Sequence, residues 1–74
     1  MFNIFDMQTR ETTNNLTADE VADFLIAKGA LIEKETHSDR LVFENKEWLD
    51  TYSVKYVGSE DIEKAYDELR TALK

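Results

Sequence analysis

Residues 16–29 are bounded as a helix at both ends, and the rest of the 74-residue chain has to fold around that element. Thr17 stands at an N-cap position with Glu20 three residues on. This is the spacing of a capping box, in which each side chain satisfies a backbone N–H that the helix start leaves open. Leu16 before the cap and Val21 after it are placed for a hydrophobic staple. The helix is expected to run to about Lys28, with Gly29 supplying the left-handed residue that ends it. Val21, Phe24, Leu25 and Lys28 share one stripe, which Ala22 and Ile26 widen.

The flanking segments read as strands and a second helix. Met1–Met7 is apolar with alternation and reads as a first strand or a docked arm, while Gln8–Asn15 is polar and ends in the Asn-Asn pair of a turn. Ala30–Thr36 and Arg40–Asn45 are short β-leaning runs, and His37-Ser38-Asp39 between them makes a hairpin. Trp48–Val57 is rich in aromatic and β-branched residues and reads as a third strand of the same sheet. Alternation places Trp48, Tyr52, Val54 and Tyr56 on one side, and Leu49, Thr51, Ser53, Lys55 and Val57 on the other. Gly58-Ser59 breaks the strand. Ser59 is then expected to cap a helix over Glu60–Leu73, with Ile62, Ala65, Tyr66, Leu69, Ala72 and Leu73 on its apolar face. Glu60–Lys64 and Lys64–Glu68 have the spacing of helical ion pairs. The expected fold is a single small acidic α+β domain over residues 1–74, in the order β-α-β-β-β-α. Its mainly antiparallel sheet has three to four strands, with both helices packed on one face.

Composition narrows the chemistry. Sixteen Asp/Glu stand against nine Lys/Arg, a formal charge of −7, with one His and neither Cys nor Pro. Without thiols there is neither a disulfide nor a thiolate zinc site. Stability must come from apolar burial, which an apolar fraction of 42% and eight aromatics make feasible. Direct binding to nucleic acid or anionic lipid is disfavoured, because such binding gains its energy by neutralising phosphates with cations. Basic proteins are attracted by the same field. No run reaches the roughly 18 apolar residues of a membrane span, and no basic segment leads into an apolar stretch at the N-terminus. A cytoplasmic protein is expected.

Four constellations in the sequence bear on function. Asp19, Glu20 and Asp23 sit near the start of the first helix, and Glu60, Asp61, Glu63 and Asp67 on the front and outer face of the second, followed by Glu68. Acids at helix N-termini are locally favourable and keep small domains dispersed. Together with Glu33, Glu35 and Glu44 on the hairpin, they could equally imitate the phosphates of a nucleic acid. Trp48, Tyr52 and Tyr56, at strand spacing, are expected to pack under the helices, with a self-association face as the alternative. A base-stacking platform would need flanking cations, and only Lys46 and Lys55 are near. His37 beside Ser38 and Asp39 lists the members of a nucleophilic triad, but consecutive turn residues point in divergent directions and lack an oxyanion hole. No EF-hand, P-loop or dinucleotide fingerprint is present, and both glycines, Gly29 and Gly58, fall at element ends.

In composition the chain resembles small proteins carried by phages and other mobile elements: very short, cysteine-free, acidic and capped α+β. The likeness rests on no motif. It implies an inhibitor that blocks a basic site on another protein. The expected function is therefore non-enzymatic, with no cofactor and no metal. A carboxylate-rich surface made of Asp19, Glu20, Asp23, Glu60, Asp61, Glu63 and Asp67 would be offered to a basic, DNA- or RNA-binding partner. The rival is a structural homodimer that buries the Trp48/Tyr52/Tyr56 face and whose acidity serves only solubility.

Overall fold

The structure is a computed structural model that describes residues 1–36, 40–45, 47 and 50–74. Seven elements follow one another: β1 (Phe2–Asp6), β2 (Thr12–Leu16), α1 (Ala18–Lys28), β3 (Ile32–Thr36), β4 (Leu41–Glu44), β5 (Thr51–Tyr56) and α2 (Ile62–Ala72). The strands form one five-stranded sheet in the order β2-β1-β5-β4-β3, and every neighbouring pair is antiparallel. The α+β class is as expected from the sequence, but there are five strands, and the order of elements is β-β-α-β-β-β-α.

The added strand is β2, inside the segment that reads as a polar turn. Its residues Thr12–Asn15 are exposed, so no apolar alternation announces it. As an edge strand it needs only backbone pairing with β1. The turn itself lies earlier. The Asp6 carboxylate accepts the Gln8 and Thr9 amides at 2.9 and 3.3 Å, and Arg10, at φ 64°, donates its amide to the Asp6 carbonyl at 2.7 Å. The Asn-Asn pair serves a register shift instead. Asn15 takes φ 61° and donates its amide to Asn3 Oδ1 at 3.2 Å, between the Phe2–Leu16 and Ile4–Thr13 pairings.

α1 forms as its sequence demands. Thr17 Oγ1 accepts the Glu20 amide at 3.2 Å, and Glu20 Oε1 accepts the Thr17 amide at 3.0 Å. Gly29, at φ 68°, donates to the Ile26 carbonyl, and Ala30 donates to that of Leu25, which closes a Schellman motif. The Asn45 side-chain amide donates to the last carbonyl of the helix, that of Lys28, while its oxygen accepts the Glu47 amide at 2.8 Å. Asn45 is only 3% exposed, and a Cβ on Gly29 would stand 3.0 Å from its Nδ2. Glycine is therefore favoured there by backbone hand, and a Cβ would also press on that amide. α2 begins later than Ser59 would start it: Asp61 is the N-cap, its Oδ1 accepting the Glu63 amide at 2.9 Å. Asp caps as well as Ser, so the local signal alone did not select between them.

Alternation along the strands sends Phe2, Ile4, Leu41, Phe43, Tyr52 and Val54 to one face. There they join Val21, Ala22 and Leu25 of α1 and Ala65, Tyr66 and Leu69 of α2 in a single core. The two helices pack against each other, α1 also against β1 and β2, and α2 against β5. Both thus lie on one face, and among the described residues no helix covers the other. Two expected details differ. Ile26, read as widening the buried stripe, is half-exposed. Among the described residues, Lys64 closes no ion pair with Glu60 or Glu68; Arg70 is the α2 cation that does pair, with Glu33 and Asp67. Trp48, Leu49 and the turn His37-Ser38-Asp39 fall outside the described residues.

Truncating Asn45 to Ala leaves the Lys28 carbonyl and the Glu47 amide without their buried partner. It is expected to destabilise the fold by about 1–3 kcal/mol, against about 1 kcal/mol for Thr17→Ala at the exposed cap. Urea unfolding measures both as a lowered midpoint at unchanged slope; equal midpoints for Asn45→Ala and wild type would contradict the buried bridge.

Candidate functional site

The helical layer carries the acid. Asp19, Glu20, Asp23, Glu60, Asp61, Glu63 and Asp67 are all exposed, on α1, on α2 or in the residues leading into them. Three of the seven also serve the fold: Glu20 in the capping box, Asp61 as the α2 N-cap, and Asp67 in an ion pair with Arg70 Nη1 at 3.3 Å. Asp19, Asp23, Glu60 and Glu63 make no side-chain hydrogen bond or ion pair among the described residues. Arg70 bridges the layer to the sheet edge. Its Nε and Nη2 reach the two carboxylate oxygens of Glu33 at 2.9 and 3.5 Å. Hydrogen bonding to Glu33, more than the nearby charge of Asp67, raises the guanidinium pKa further and keeps it charged.

The opposite sheet face is of a different chemistry. Phe5 and Val42 both stand across from Ser53, and Glu44 stands across from Thr51 and Ile32. Phe5, Met7, Val42, Thr51 and Ser53, with Lys34, Arg40 and Glu44, line a shallow concavity of about 430 Å³. Val42 is 8% exposed although it belongs to no part of the core beneath the helices. Lys34 Nζ meets Glu44 Oε2 at 2.9 Å beside it. This face was not among the sites chosen from the sequence. Its signal was present in the alternation of Thr51, Ser53 and Lys55 against Tyr52 and Val54, and in Phe5 falling out of phase with Phe2 and Ile4.

Tyr52 and Tyr56, two of the three aromatics read as an alternative self-association face, lie on the covered side. Tyr52 is 2% exposed and meets the Phe24 ring edge-on at 5.6 Å. Tyr56 is half-buried and meets Phe2 at 5.3 Å. Tyr52 therefore packs under the helices, as its strand alternation implies, because α1 closes over it; Trp48 lies outside the described residues. Among the described residues no group of three or more His, Cys, Asp or Glu is placed to hold a metal ion. No helix there is long and apolar enough to cross a membrane. Comparison with known proteins finds no matching family model, no matching curated protein and no matching solved structure.

Burial raises the Tyr52 phenol above its ordinary value of 10.0, and the charges of Asp6 and Asp50 add to the effect. A group held protonated by the fold contributes stability that is fully present below the unfolded pKa and is lost as pH rises through the folded one. Wild type is therefore expected to lose more stability than Tyr52→Phe between about pH 9 and about pH 11. Parallel urea midpoints for the two across that window would show that the phenol does not respond to its burial.

Proposed function

We propose that the chain is a non-enzymatic interaction protein, an inhibitor or regulator whose acidic helical layer engages a basic, nucleic-acid-binding partner as a nucleic acid would. The observation that carries this reading is the exposure of all seven chosen carboxylates on the layer formed by α1 and α2, in a chain of charge −7. Steering by such a field accelerates encounter with a cationic surface and weakens with salt. Four of the seven make no structural contact of their own, so their charge is available to a partner at little cost to the fold.

The test is capture from a bacterial lysate by the immobilised chain at about 50 mM and about 500 mM salt, on either side of strong screening. One basic nucleic-acid-binding protein is expected to be retained at low salt only and to be displaced by duplex DNA. Asp19→Lys/Asp23→Lys/Glu63→Lys is expected to weaken that capture by about tenfold or more, with an unchanged circular dichroism spectrum. Retention of the same protein by the folded triple variant would defeat the proposal.

A further inference from the structure

We draw no further inference here: the strongest candidate, the shallow concavity with Phe5, Met7 and Val42 at its apolar centre on the sheet face opposite the helices, carries nothing because nothing in the structure shows what covers it.

Discussion

The ladder between β1 and β5 joins two pieces of chain that are each incomplete alone. On one side of it lies the β1–β2 hairpin, on the other the β5-β4-β3 meander. Five consecutive pairings, Phe2–Tyr56 through Asp6–Tyr52, run the whole length of β1. Backbone bonds extend them at both ends, from Met7 to the Thr51 carbonyl at 2.9 Å and from Val57 to the Met1 carbonyl at 2.7 Å. A two-stranded hairpin is marginal in water, whereas a five-stranded sheet with one apolar face can hold two helices. The ladder also brings Phe2 and Ile4 beside Tyr52 and Val54, and so assembles the floor on which α1 and α2 pack. Its cost is the closure of a loop spanning most of the chain, which makes folding slower than for a local topology.

Once the sheet has closed, its two faces part in character. The covered face is continuous with the helices and holds all the residues of the core cluster. The other side keeps its polar alternation yet retains Phe5, Met7 and Val42 around a shallow depression. Carboxylates crowd the helical side, whereas the lining of the depression mixes Lys34 and Arg40 with Glu44. Short polar contacts lock the layers together. Asn45 ties the end of α1 to the segment after β4, and Arg70 ties α2 to Glu33 on the edge strand. The second of these is exposed to water and therefore adds register more than stability.

Local signals in the sequence were strong wherever a short-range physical device acts. Thr17, Glu20 and Gly29 bounded α1 correctly, because caps are settled by residues within a turn of one another. The period of Ala65, Tyr66 and Leu69 marked the buried side of α2 for the same reason. β2 was illegible: Thr12–Asn15 are exposed and owe their extended form to β1, not to their own side chains. The Asn-Asn pair reads as a turn, but whether Asn15 makes a turn or a bulge depends on the strand beside it. The acidic residues of the helices could be named because charge at a helix N-terminus is a local preference; their exposure followed from which stripe was apolar.

By itself the sequence determined the class of the protein: a small acidic α+β chain without thiols, with two amphipathic helices whose acids must face water. Those properties depend on composition and on periods of two and 3.6 residues, which contacts elsewhere do not alter. Tertiary structure decided everything that depends on strands meeting across the chain. It inserted β1 between β2 and β5, buried Tyr52 beneath Phe24, and turned Phe5, Val42 and Ser53 into one surface. Pattern tells a residue which side of its own strand it occupies; only the order of the strands and the placement of the helices tell that side whether it meets protein or water.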